Sequence, residues 1–488
     1  MNVLRLSRIL TGLRLSIVLC CLVLVLAAVL LSQPPVAMSA SYTWSLTGSG
    51  GWNNTANWNP SGTPSAIGDE AIFGNTITAN STITLDAARI VGSVQFDDDN
   101  NYLVSGSALT FDVSSGSASI VSSNTSGNGA HTIATNITLN DNVNVMHNSS
   151  GDLTLSGSIG GGGRTLTKSG AGTLYLSGGG ANTYTGLTTV AGGVLCLNKT
   201  NATAIAGDLR IDGTVGGESI RVRLTGSGGN LIADTAAVTL VNGAGLNTLN
   251  KAETIGSLAG TGTIWMGAST GGGLTVGTNN ASTAFAGSIQ ENGYLTKIGA
   301  GTLTLSGANT YTGPTTVNAG KLLLDHAATP SVLAATSALN LGGGTLELKG
   351  RSSGTSSQTL GDLTLNEAGG AIAIDPNGGA GTTLTLGSNL IRSPTATLAI
   401  SLPSRATLEI GTLSADPPSF TNGVAGYATV NGTDFATRSG NRLVGYSGYS
   451  VLPLDGTASS WATYQQINGG ATQLAANTTL NALRIDST

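Results

Sequence analysis

The string "GAGTLTLSGANTYTG" at Gly299–Gly313 nearly duplicates "GAGTLYLSGGGANTYTG" at Gly170–Gly186, and no other feature of the chain restricts its fold as much. The likeness extends over Leu166 to Leu197 and Leu295 to Leu324. Both copies carry LTK, GAGTL, LSG, ANTYTG, TTV and a closing Leu-x-Leu, and the first has two additional glycines. Residues two apart in a strand point to the same side. Leu303 and Leu305 therefore share one face and Thr302, Thr304 and Ser306 the other, with Leu174 and Leu176 as the matching leucines. The leucines are kept between copies while Thr304 becomes Tyr175, as a buried and an exposed face should behave. Gly170 and Gly299 precede the strands, and Asn182 with Gly186, or Asn309 with Gly313, shape the bend that follows.

A unit of two or three short strands cannot bury its own apolar face, so it must stack on neighbours, and a solenoid is the natural solution. Stacked in parallel, such coils satisfy their strand backbone groups along the whole array. Outward faces can then be Thr, Ser and Asn, while charges, which repel when stacked in register, are few. Only 9% of the residues are charged, against roughly 25% in an average soluble domain. The rest of the chain agrees: "STITLDAARI", "HTIATNITLNDNVNV", "DLTLSGSI", "GTLELKG" and "TTLTLGSNL" alternate with period two between Gly, Asn and Asp, and helical periodicity is missing almost everywhere after Leu31. The fold class is all-β, a parallel β-helix. With roughly 20 to 25 residues per coil and strands ~4.8 Å apart, the chain after residue 40 would make about 20 coils and a rod on the order of 90 Å long. A series of antiparallel sandwiches is the architectural alternative.

The two blocks resemble the autotransporter-associated β-strand repeat, also called the passenger-associated transport repeat, whose pattern is close to "LTKxGAGTLTLSGANTYTGxTTVNAGxLxL". "IGSLAGTGTIWMG" and "FAGSIQENGYLTK" resemble the stretches that usually lead into such a repeat. The resemblance implies a right-handed β-helix, secreted or exposed on the surface, typically the passenger of a bacterial autotransporter or a large exported protein. It carries no catalytic motif to transfer. Self-translocating members end in a membrane β-barrel with aromatic girdles. The final "TQLAANTTLNALRIDST" is too short and too poor in aromatics for one. That tail echoes "ANSTITLDAARI", Leu480 and Arg484 matching Leu85 and Arg89, as though further coils were beginning, and the expectation is a truncated chain.

The N-terminus reads as an export signal. Arg5, Arg8 and Arg14 precede an uncharged run, Leu15 to Leu31, and small residues at Ala37, Ser39 and Ala40 suit cleavage near Ala40; an uncleaved anchor is the rival. Cys20 and Cys21 lack the preceding small residues of a lipid-attachment site. Only Cys196 remains beyond the signal, so no intramolecular disulfide can form, and its counterpart Leu323 marks an apolar packing position. The segments expected are the signal at 1–40, a Trp-rich cap with first coils at 41–101, the β-helix at 102–401, irregular coils or an inserted module at 402–467, and the start of further coils at 468–488. In the fourth, Pro417 and Pro418 interrupt pairing, and Tyr427, Phe435, Tyr446 and Tyr449 form an aromatic cluster.

Candidate chemistry is thin. Trp44, Trp52 and Trp58 invite a carbohydrate platform, since flat rings stack on sugars; the competing reading is a cap over the open solenoid end. Asp97, Asp98 and Asp99 lack the spaced pattern of a calcium loop and read as a solvated turn. His131, His147 and His326 are single, without metal-ligand spacing. The Gly-x-Gly strings precede no helix that could hold a phosphate. No cofactor, metal or catalytic set is expected. A net charge of −5 with 20 basic residues spread thinly argues against nucleic acid.

Two function classes remain. One is an exported non-enzymatic β-solenoid, a surface or adhesive passenger that binds glycans or other cell-surface proteins by many weak contacts and meets the membrane only through its signal or anchor. The other is a polysaccharide-active β-helix, a lyase or hydrolase, or a carbohydrate-binding module. The enzyme needs carboxylates and a basic residue gathered on one face, whereas Asp208, Asp212, Asp234 and Asp375 are scattered through turns.

Overall fold

The computed structural model describes residues 39–123, 128–213 and 221–410, with shorter stretches at 424–432, 434–439, 442–445, 450–451, 465–468 and 483–486. The expected signal lies outside the described residues except for Ser39 and Ala40, as do Pro417, Pro418, Tyr446, Tyr449, Leu480 and the side chain of Phe435. No helix among the described residues is long and apolar enough to cross a membrane.

Period-two leucine patterning yields a parallel β-solenoid of about 14 turns. Each coil presents three faces. The first runs through Leu166–Ser169, Thr188–Val190 and Leu209–Asp212, the second through Thr173–Gly178, Val194–Lys199 and Arg221–Leu224. The third is a four-stranded sheet toward the N-terminus and a seven-stranded sheet farther along. Pairing such as Ile205 with Ile232 joins them. Inward positions form columns: Leu153, Leu174, Leu195, Val222, Leu246, Ile264 and Ile289 stack in register and are all fully buried. One-sided burial of this kind holds the register, because a slip of one residue would turn every leucine outward.

The described residues make about 14 turns, against an expected 20 or so for the whole chain after residue 40, and turn length varies along the rod. Gly245 stacks on Thr263, a step of 18 residues, whereas Leu398 stacks on Ala428, a step of 30. Where charges do occur in register they alternate in sign: Lys349 stands between Asp325 and Asp375 and is 3.0 Å from the Asp325 carboxylate. Antiparallel pairing appears toward both ends of the described rod. Trp44 pairs with Trp58, and Val424–Val430, Asp434–Ser439 and Arg442–Gly445 form a meander within the segment expected to be irregular. Tyr427 of that segment meets the preceding coil, the Arg392 guanidinium lying 4.5 Å from its ring centroid.

The two repeats sit one face apart. In the first, the LTK strand lies on the first face, Thr173–Gly178 on the second, and the ANTYTG stretch on the third, where Thr183 N–H donates to the Ile159 carbonyl. In the second, Tyr294–Lys297 lies on the third face, Thr302–Leu305 on the first, and Thr310 N–H donates to Ile289 of the second. Near-identical sequences therefore display their outward residues in different directions around the rod.

Candidate functional site

The tryptophans do not form a sugar platform. Trp44, Trp52 and Trp58 are 0%, 0% and 2% exposed. Trp58 lies edge-on to Trp44 and Trp52, with centroids 5.1 and 5.0 Å away, and 5.5 Å from Phe73. The column continues inside the coils through Phe73 on Phe96 (5.4 Å, 16° between planes) and Phe96 on His131 (4.8 Å, 9°). With ring faces against one another, and the indole N–H groups of Trp52 and Trp58 donating to the Pro64 and Trp52 carbonyls, nothing flat is left for a ligand.

The repeat residues have clear places. Leu174, Leu176, Leu303 and Leu305 are buried, and Thr302 and Thr304 face outward. Gly299 and Gly170 take φ of +67° and +78°, and a Cβ on either would collide with a backbone carbonyl of the coil below, that of Gly277 or His147. Gly186 and Gly313 are needed for close approach alone, to the carbonyls of Arg164 and Gly293. Asn182 and Asn309 are not solvent-facing turn residues. Each is buried, and the Asn309 side chain accepts from Ile289 N–H at 2.9 Å and donates to Val332 O at 3.0 Å, tying the coils before and after its own. Asn182 does the same between Ile159 and Ala204.

Two pairs of buried polar groups escape a reading by alternation alone. Lys168 and Lys297 end their LTK strands pointing inward; the Lys168 ammonium donates to the carbonyls of Ser169, Gly170 and Gly192, and Lys297 to those of Ile298, Gly299 and Ala319. Desolvation brings the Lys168 pKa down to about 8 and lowers that of Lys297. Tyr184 and Tyr311 are wholly buried, each hydroxyl sharing a hydrogen bond with the hydroxyl four residues on, Thr188 or Thr315. The missed signal was a lysine kept in both copies on the apolar phase of its strand. Lys297→Met is expected to cost about 2 kcal/mol, since three half-buried carbonyls lose their donor, and to appear as faster amide exchange in the coils around 297–320.

A further pair is visible only in three dimensions. The buried Glu253 carboxylate accepts from the N–H groups of Leu231 and Ile232 at 3.2 and 2.8 Å. Gln358 does so from Val332 and Leu333 at 3.0 and 3.2 Å. The stretches align as "ETIGSL" and "QTLGDL". Burial pushes the Glu253 pKa up to about 7, against the lowering effect of those N–H donors.

The remaining candidates do not converge on chemistry. Among the described residues no three or more His, Cys, Asp or Glu are placed to hold a metal ion. Asp98 accepts from Asn100 within its own turn. His131, His147 and His326 are buried, all with pKa values lowered by desolvation. Asp208 accepts from Ala237 N–H, Asp212 pairs with Arg210 at 2.7 Å, and Asp375 accepts from Asn377 N–H. Cys196 faces outward between inward Leu195 and Leu197, covered by its neighbours, and burial raises its thiol pKa, which disfavours the thiolate.

A closed parallel coil with leucine columns inside and hydroxyl-bearing residues outside defines a parallel β-solenoid. Residues 166–195 and 295–324 match the family described as Passenger-associated-transport-repeat, so the chain carries two passenger-associated transport repeats, as the motifs implied. It is similar to "Adhesin BmaC autotransporter" of Brucella suis biovar 1 (strain 1330), with 30% identity over 367 residues, covering 57% of this chain and 10% of the relative. The chain thus spans about a tenth of the length of that curated relative. No solved structure matches.

Proposed function

We propose that this chain is part of an exported, non-enzymatic passenger β-solenoid that acts at the cell surface as an adhesive or spacing element, wound right-handed as parallel crossovers overwhelmingly are. The observation that carries the reading is the pair of passenger-associated transport repeats built into a continuous coil, together with similarity to a protein described as an adhesin. The outer faces present rows of Thr, Ser and Asn side chains on a stiff scaffold, suited to many weak contacts rather than to one pocket. The test is labelling of intact cells with antibody against the rod, alongside external protease. Signal on intact cells that protease removes is expected; signal only after permeabilisation overturns the reading.

A further inference from the structure

The second face carries a strip unlike the rest of the surface. Register places Thr154, Tyr175, Cys196, Arg223, Asn247, Trp265 and Gln290 in one outward column on successive coils. Most of the rod's outward positions are hydroxyl or amide side chains, but here two aromatic rings stand about 19 Å apart, four strand spacings, with a guanidinium midway. The Trp265 ring reaches over Gly245, where a side chain would strike it, and meets the Arg221 guanidinium, whose carbon is 4.8 Å from the ring centroid. Arg221 and Arg223 alternate with inward Val222, so both point outward from one strand. Neither this column nor the adjoining one of Thr173, Val194, Arg221, Gly245, Thr263 and Ser288 contains an acidic residue. Asp152 is the carboxylate that acts on the Tyr175 and Cys196 end.

We infer that this strip, Tyr175 through Trp265, is a binding site for an anionic glycan, a short run of carboxylate-bearing sugars. Aromatic rings at both ends offer stacking surfaces to sugar faces, and the Arg223 guanidinium between them offers paired donors to a carboxylate. The strip lies within a sheet whose strands are hydrogen-bonded on both sides along the rod, so it presents no open backbone edge onto which a peptide strand could add. Recognition here goes through side chains, which favours a ring-bearing, charged ligand over an extended peptide. The inference rests on the surface-passenger reading for its access to such ligands.

The experiment is calorimetric binding of the full chain to oligogalacturonate, with neutral oligogalactan of equal length and polyglutamate as comparators. Oligogalacturonate is expected to bind in a salt-sensitive manner, and Arg223→Gln and Trp265→Leu each to weaken it about tenfold while the thermal melt stays in place. Arg210→Gln, on the first face, is expected to leave binding unchanged. Absence of oligogalacturonate binding, equal binding of oligogalactan, equal binding of polyglutamate with the same residue dependence, or indifference to Arg223→Gln would each overturn the site. Because Trp265 packs on Gly245, Arg223→Gln is the deciding variant should Trp265→Leu melt early. Cell-surface labelling is independent of this result, so a surface-exposed chain that fails here loses the site and keeps the passenger reading.

Discussion

Lowering the pH from 7 to 4 is expected to loosen the coils around His131 and His147 and to tighten those around Glu253. Both histidines are buried, and desolvation lowers their pKa values to about 4, from the ordinary 6.5. His131 also faces His147 and stacks on Phe96, and its Nδ1 accepts from Tyr102 N–H. His147 faces Lys168 and bonds the Gly151 carbonyl at 2.8 Å. A folded-state pKa below the unfolded one means that the unfolded chain takes up more protons between pH 6.5 and 4. Stability is then full above pH 6.5 and falls as pH drops, by at most about 3 kcal/mol for each histidine. Glu253 has the opposite sign. Its folded pKa of about 7 exceeds the ordinary 4.5, so its site is most stable below pH 4.5 and loses up to about 3 kcal/mol as pH rises to 7.

In a compact domain these effects would largely cancel in one global melt. A solenoid is close to one-dimensional, each coil contacting its neighbours, so the two regions report separately. Hydrogen exchange on the coils near 131–147 is expected to accelerate at pH 4, while exchange near 231–253 slows. Glu253→Gln should remove the second trend without unfolding the rod, because Gln358 already fills the equivalent position, its Nε2 donating to the Leu333 carbonyl at 2.9 Å. Exchange rates that shift together at both sites, after correction for intrinsic pH effects, would refute the assignment.

Gly299→Val is expected to destabilise its coil by at least about 3 kcal/mol, whereas Gly179→Ala should change stability by less than about 0.5 kcal/mol. Gly299 holds φ +67°, which a β-branched residue resists, and any Cβ there meets the Gly277 carbonyl of the adjacent coil. The coils would have to separate where Lys297 and Asn280 join the same turn, Lys297 donating to Gly299 O and Asn280 accepting from Ala300 N–H at 2.7 Å. Gly179, one of the residues by which the first repeat exceeds the second, has no positive φ, and a Cβ added there would meet nothing within 4 Å. Thermal melts of both variants, with proteolysis to locate any opened coil, decide it; comparable losses at 179 and 299 would show that the turn glycines are not read by the coil beneath.

The strand faces were legible because alternation is a local property. Leu303 and Leu305 are inward whatever coil they join, and the repeat could be recognised from its own residues. The buried roles of Asn309 and Lys297 were not legible by type, since an amide and an ammonium normally mark solvent; Asn309 is inward because it satisfies an N–H and a carbonyl of the adjoining coils, and Lys297 because it donates to carbonyls of its own turn and of the next coil. The tryptophans show the converse. Their spacing suited a platform as well as a cap, and only the packing of Trp58 between Trp44, Trp52 and Phe73 separates the two.

By itself the sequence determined that this chain coils, which side of each strand is apolar, and which repeat family it carries, since all three follow from residues near one another along the chain. Only the tertiary structure decided which residues stack, because turns that stretch a coil from 18 to 30 residues set the phase between distant segments. That phase turned the second repeat one face from the first. It also brought Tyr175, Arg223 and Trp265, far apart in sequence, into one column.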